Sequence, residues 1–150
     1  MKDEKITLAT AKLAKEKSYN IGCNGSYTEF LKTHKSDNPS FAMKKGEIEY
    51  DDSFFFINNN SLCDNSNENY TMYAAPAQSL LQRWFREVHS IEIFVKPFYI
   101  PQLSREGCFK YYGLVVLKEC VSECNASSEC KDKYEDALED ALKLAFNFIK

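Results

Sequence analysis

Histidine is scarce in this chain, and common catalytic patterns are missing. Only two histidines, His34 and His89, occur among the 150 residues. The sequence contains no Gly-x-Ser-x-Gly elbow, no phosphate-binding glycine loop and no His-Glu-x-x-His pair. No cysteine stands at a recognised spacing from His89 to form a nucleophile and base. We therefore expect a protein that is not an enzyme and needs no cofactor, with a small hydrolase as the least favoured alternative.

Long apolar runs are absent too. A membrane-spanning helix needs a run of about 18 apolar residues, which the sequence lacks. Its first residues, MKDEKITLATAKLAKEK, mix charges with short apolar stretches, unlike the apolar core of a secretory signal. We therefore expect an intracellular, cytoplasmic protein without a membrane partner.

Strong charge of one sign is a third feature that the chain lacks. The formal net charge is only −3, so nucleic acid is an unlikely partner, because nucleic-acid binding usually needs a basic balance or patch. Aromatic residues, in contrast, make up 14% of the chain. This content predicts a core or a binding surface rich in Phe and Tyr, and it suits a protein interface.

Six cysteines are present, but we expect free thiols because the interior of a cell is reducing. Cys120, Cys124 and Cys130 are the one group that resembles a zinc site. A structural zinc ion takes four ligands, usually as two close pairs, and here the fourth would have to come from a distant residue. We therefore predict no metal site.

Helical periodicity is clearest in the middle of the chain. After Pro76, apolar residues recur at helical spacing, which predicts a helix with one buried stripe: Ala77, Leu80, Leu81, Trp84, Phe85 and Val88. A first helix is predicted from about Leu8 to Lys17, capped by Thr7. A third is predicted in DKYEDALEDALKLAFNFIK, where Asp132 and Glu135 have the spacing of a capping box.

Strand patterns separate these helices. Alternation from Ile91 to Phe98 and the β-branched and aromatic residues of Phe109–Lys118 predict an antiparallel pair, with Pro97 ending the ladder or lying at an edge. Weaker strand signals occur in three segments: SFAMKKGEIEY, SFFFI and YTMYA. The first is predicted to be a hairpin around Lys44–Gly46. Asn58–Asn69 is predicted to be an exposed loop. The pattern predicts a single α+β domain over residues 1–150, with helices packed on one face of an antiparallel sheet.

Two arginines on the polar side of the central helix are the best candidates for binding. Arg83 and Arg86 have guanidinium groups that bind phosphates and carboxylates, and Tyr111 and Tyr112 offer stacking faces. Taken singly, each of these residues is more simply explained as part of a soluble surface or a core. His89 is predicted to lie at the end of the central helix, where a cation favours the helix dipole.

A run of four carboxylates, Glu135, Asp136, Glu139 and Asp140, lies in the predicted last helix. Such a run could hold a cation. On the polar face of an amphipathic helix, however, we expect these side chains to be solvated.

Three segments, in order, resemble a known group of proteins: ATAKLAKEK, APAQSLLQRWFREVHSIEI and YEDALEDALKLA. They are similar to segments of small proteins encoded by bacteriophages and prophages, particularly of the Bacteroidetes, which have TAKLAKEKG, APTQSLLQKWLREKHNI and a YEEAL-like last helix. The chain departs from them at Ser18, where the family often has Gly, at Ala77, where it often has Thr, and at Asp140.

The resemblance implies a phage origin and a small accessory protein, and it implies no activity. From it we expect a protein-binding module in the host cytoplasm that acts on a host or viral protein, for example one of a host defence. The alternative is a protein that sequesters a small anionic ligand such as a nucleotide signal. A homo-oligomer is possible on either interpretation.

Overall fold

The computed structural model describes residues 4–31, 44–55, 70–100, 108–118 and 126–149. These residues form three α-helices and two antiparallel sheets, so the predicted α+β class is confirmed. The elements are α1 Leu8–Glu16, β1 Cys23–Phe30, β2 Ile48–Phe55, β3 Tyr70–Ala74, α2 Gln78–His89, β4 Ile91–Ile100, β5 Cys108–Leu117, β6 Ala126–Ser127 and α3 Tyr134–Ala145.

The contacts group the chain into two compact units. The N-terminal unit is Thr7–Pro76, and the C-terminal unit combines Met1–Ile6 with Ala77–Lys150. Each unit has its own three-stranded sheet, with strand orders β2-β1-β3 and β4-β5-β6. The single sheet expected from the sequence is therefore two sheets, and one domain over residues 1–150 stays a prediction.

In the N-terminal unit, α1 has the predicted start and a well-formed end. The Thr7 side chain accepts a hydrogen bond from the Thr10 backbone N–H. At the other end Ser18 is left-handed, with φ of 60°. The Ser18 N–H donates to the Lys15 carbonyl and the Tyr19 N–H to the Ala14 carbonyl, which together form a Schellman motif.

A polar cluster ties α1 to the N-terminal sheet. The Lys12 ammonium lies 2.7 Å from a Glu29 carboxylate oxygen, and the Tyr73 hydroxyl donates to that same oxygen at 3.0 Å. The hydrogen bond from Lys12 lowers the pKa of Glu29. Burial, followed by the bond to Glu29, raises the pKa of Tyr73 to about 12. This cluster fixes the orientation of the helix on the sheet.

The strands of this unit differ in part from their prediction. YTMYA forms β3 as predicted, whereas IEY and the start of SFFFI belong to one strand, β2, which pairs with β1. A turn with Gly46 at φ of 83° precedes β2. The first arm of the predicted hairpin and the predicted loop Asn58–Asn69 lie outside the described residues.

The C-terminal unit is built on a long β4–β5 pair. The two strands pair antiparallel over ten residues each, from Ile91 opposite Leu117 to Ile100 opposite Cys108. Both α2 and α3 pack on this sheet, and the side chains of Ile91, Ile93 and Val115 are buried beneath them. We call this the inner face of the sheet. The predicted packing of helices on one face is confirmed here.

The central helix supplies the core of this unit. Leu81, Trp84 and Phe85 are buried, and Phe85 packs edge-on against Phe146 with ring centroids 4.8 Å apart. Val88 was predicted to continue this stripe, which is wrong, because its side chain is 57% exposed. In the last turn it is His89 that packs against Trp84, with centroids 4.4 Å apart.

The last helix follows its predicted apolar face, with differences at its polar residues. The capping box is wrong, because α3 begins after Lys133, whose side chain makes no capping bond, and Asp132 pairs instead with Lys110. Glu139 was expected to be solvated but is buried, and it accepts a hydrogen bond from the Gln78 amide at 3.2 Å. This bond joins the first turn of α2 to α3.

Candidate functional site

The two arginines predicted to bind an anion are engaged by carboxylates. The Arg83 Nε lies 2.8 Å from a Glu87 oxygen, one helical turn further along α2. The Arg86 Nε donates to a Glu92 oxygen at 2.9 Å. Both arginine side chains are otherwise exposed, and an anion would compete with these carboxylates for each guanidinium group.

The two predicted tyrosines point to opposite sides of the sheet. Consecutive residues of a strand alternate between its faces. Tyr111 is on the inner side, where its ring meets that of Tyr134 edge-on at 6.2 Å. Tyr112 is on the outer side, opposite Lys96. The structure therefore does not bring these tyrosines together, and binding by the four predicted residues stays a prediction.

What the sheet presents instead is an aromatic outer face. Phe94 and Phe98, alternate residues of β4, are 48% and 51% exposed. Their partners across the strand pair are Leu114 and Lys110, and Tyr112 lies between these two on β5. We call Phe94, Phe98, Tyr112 and Leu114 the aromatic face. Side chains of this size normally bury at least one face, so a half-exposed pair on one strand is a candidate contact surface.

The far end of the β4–β5 pair exposes aromatic rings on its inner side as well. Tyr99 and Phe109 are directly opposite each other, with ring centroids 5.2 Å apart. They are 48% and 58% exposed. The apolar surface therefore continues around this end of the strand pair.

The free edge of β4 is closed to strand addition by two residues. The Lys118 N–H donates to the Ser90 carbonyl, so the backbone carbonyl of Ser90 faces β5. The backbone groups of successive strand residues alternate in direction, so those of Ile93 and Pro97 face away from β5. The Gln82 amide donates to the Ile93 carbonyl at 2.6 Å. Pro97 has no N–H to offer at this edge. The edge position predicted as one alternative for Pro97 is confirmed.

Lysines surround the aromatic face. Lys96 is exposed and lies between Phe94 and Phe98 on β4. Lys118 is 3.6 Å from Glu92, and Lys110 pairs with Asp132. The face therefore combines apolar rings with three lysines and two acidic residues, Glu92 and Asp132, on a chain whose overall charge is negative.

A shallow groove of about 350 Å³ lies between β6 and the second half of α3. Its polar groups already bind one another. The Ser128 hydroxyl accepts from the Gly113 N–H and contacts the Glu129 carbonyl, and Asp140 pairs with Lys131 at 2.7 Å. Ser128 and Asp140, two of its polar lining residues, are therefore already engaged within the protein.

His89 was predicted to stabilise the end of α2 as a cation. Its Nε2 is buried and finds no hydrogen-bond partner in the part of the chain that the structure describes. Burial lowers the pKa of His89, which favours the neutral ring. The helix ends at Ser90, whose N–H donates to the Phe85 carbonyl. His89 therefore serves as an aromatic packing residue.

Metal ligands do not cluster in residues 4–31, 44–55, 70–100, 108–118 and 126–149, where no three His, Cys, Asp or Glu side chains come together. Cys23 is buried there and Cys130 exposed, both as free thiols. His34, Cys63, Cys120 and Cys124 lie outside these residues.

Within the ranges that the structure describes, no helix combines the length and apolar character needed to cross a membrane.

The aromatic face was only partly visible in the sequence. The alternation in β4 identifies one set of residues as buried. The other set, which includes Phe94 and Phe98, contributes to the aromatic face. The signal available was the presence of large aromatic residues at positions that the pattern assigns to solvent.

Comparisons with protein-family models, with curated proteins and with solved structures found no match for this chain.

Proposed function

We propose that this chain is a phage-encoded accessory protein that acts without catalysis, by binding a host or viral protein through its aromatic face. The observation that carries the proposal is the exposure of Phe94 and Phe98, at 48% and 51%, on the side of the β4–β5 sheet opposite the helices. The phage origin rests on the resemblance of the three sequence segments.

Protein interfaces typically contain a core of aromatic side chains with charged residues around it. The aromatic face has this composition, since Phe94, Phe98 and Tyr112 lie among Lys96, Lys110 and Lys118. Each phenylalanine that becomes fully buried would contribute roughly 1 kcal/mol or more, because about half of its apolar surface is still in water. These are the residues on which binding should depend.

The alternative function, sequestration of a small anion, has less support. Arg83 and Arg86 are held by Glu87 and Glu92, and Tyr111 and Tyr112 point to opposite faces. A ligand site for an anion needs donors that converge on one concave surface. Neither condition is met by a pair of tyrosines on opposite faces and two arginines that carboxylates already hold.

The test is affinity capture from expressing or infected host cells, with variants as internal controls. Wild-type protein should capture a partner that Phe94→Thr and Phe98→Thr lose. Val88→Ser is the matched control, because Val88 is also a large exposed apolar residue, 57% exposed, but lies on α2. Capture that survives both phenylalanine changes would contradict the proposal.

A thermal-shift screen with nucleotides separates the alternative. We expect no nucleotide to raise the melting temperature of the wild-type protein. A rise that Arg83→Ala or Arg86→Ala abolishes, without any captured protein, would favour anion sequestration instead.

A further inference from the structure

We infer that the aromatic face binds an acidic amphipathic α-helix of the partner protein, laid across β4 and β5. This inference rests on the proposed function and names the chemistry of the partner. Three observations carry it: the closed edge of β4, the dimensions of the face, and the sign of its charges.

The closed edge excludes the commonest way in which an extended peptide joins a sheet. Strand addition takes its affinity from backbone hydrogen bonds along a free edge. On β4 the Ile93 carbonyl is already bound by Gln82, and Pro97 cannot donate. A partner at this strand therefore gains more from the side chains of the outer face than from the backbone of an interrupted edge.

The dimensions suit one helix. Strands of ten residues extend about 34 Å at about 3.4 Å per residue, and the two strands lie about 4.8 Å apart. A helix with its side chains is about 10–12 Å wide, so it would cover β4 and β5 and leave the two-residue β6 beside it. The inner face of the same strands is already covered in this way by α3.

A second copy of the chain fits the face less well. Two strands with their side chains make a strip roughly 10 Å wide and 34 Å long, so about 340 Å² of flat area. Stable protein interfaces bury about 800 Å² on each partner. A strip of this size alone therefore falls short of a stable dimer interface.

The charges specify an acidic partner. Lys96 lies between the two exposed phenylalanines, whereas Lys110 and Lys118 on the same side are paired with Asp132 and Glu92. A helix with a carboxylate beside its apolar stripe would place it against Lys96. The three lysines and the two acids Glu92 and Asp132 together leave a charge of about +1, which suits a carboxylate of a helix better than the continuous charge of a phosphate backbone.

The test uses two designed helical peptides of about five turns that share one leucine stripe and differ only in flanking residues, Glu in one and Lys in the other. Fluorescence anisotropy at physiological salt should show the Glu peptide binding the full-length protein at least about tenfold more tightly. Phe94→Thr and Phe98→Thr should each weaken binding of the Glu peptide, and Lys96→Glu should remove or reverse the preference. Val88→Ser and Gln82→Ala should change neither.

Three outcomes would overturn the inference. Equal binding of both peptides would show that charge does not select the partner. Binding of oligothymidylate that Phe94→Thr and Lys96→Glu abolish would identify single-stranded nucleic acid as the occupant. A dimer in sedimentation experiments that Phe94→Thr dissociates would identify a second copy.

The inference and the proposed function fail separately. If cellular capture depends on Phe94 and Phe98 but the peptides are not discriminated, the protein-binding function stands and the acidic helix is wrong. If capture ignores both phenylalanines, the proposed function itself is wrong.

Discussion

The two faces of the β4–β5 sheet are formed by the same strands but differ in how deeply their side chains are buried. On the inner face Ile91, Ile93 and Val115 are at most 1% exposed, whereas Phe94 and Phe98 on the outer face are about half exposed. Residues one position apart therefore serve different purposes. The inner set provides stability, whereas the outer set contributes less to it and forms the surface that we propose for partner binding.

Backbone geometry sharpens the contrast. Gly113 is buried on the inner face, where a Cβ would meet the Ala137 carbonyl of α3 at 2.6 Å and the Ala141 side chain. The helix lies so close to the strand that no side chain fits between them. On the outer face, the neighbouring residue Leu114 is only partly buried. Substitutions on the inner face should therefore lower the free energy of unfolding much more than substitutions on the outer face.

The largest expected effect is that of Trp84→Ala. Trp84 is 1% exposed and contacts the rings of Phe85, His89 and Phe146. Its loss should lower the free energy of unfolding by about 3–5 kcal/mol, because a large cavity replaces well-packed rings. Urea denaturation measures this change. A loss below about 1 kcal/mol would show that this side of α2 is not the core.

Gly113→Ala should have the next largest effect. The added methyl group collides with the backbone of α3, which must move away from β5, and overpacking of this kind costs about 1–3 kcal/mol. Equilibrium unfolding in urea gives the value. Gly46→Ala is a useful control for backbone strain alone, since it has φ of 83° but open space around it. Unchanged stability of Gly113→Ala would contradict the close approach of α3.

Much of the fold could be predicted because it depends on local patterns. The 3.6-residue period of α2 identified Leu81, Trp84 and Phe85 as core, and the period of two in β4 identified Ile91 and Ile93. Val88 was wrong because periodicity assigns a face but does not show which residue of the last turn packs on the core. There His89, one position later, takes the contact with Trp84.

The errors at polar residues share another cause. The burial of Glu139 depends on Gln78, and the engagement of Arg86 depends on Glu92, and neither partner is identified by spacing alone. The division of Tyr111 and Tyr112, in contrast, follows from strand alternation and could have been predicted. A pattern shows where a side chain points, whereas its partners come from packing.

The backbone at Ser18 would suit glycine better than serine. Ser18 is left-handed in the Schellman motif that ends α1, with φ of 60°. Glycine adopts this conformation without steric cost, and a residue with a Cβ does not.

The smallest expected effect on stability is that of Phe94→Thr, which is also the sharpest test of the contrast between the faces. Phe94 is 48% exposed on the outer face, opposite Leu114, and threonine retains a high strand propensity. About half of Phe94 is already buried, so the free energy of unfolding should fall by no more than about 1 kcal/mol. Ile93→Thr, one residue earlier and 1% exposed, is the matched inner-face change and should cost several times more, because it leaves a hydroxyl in the core. Urea melts of the two variants, measured side by side, give the comparison. Equal losses would show that the outer face is also part of the core, and Phe94 would then be unsuitable as a binding residue.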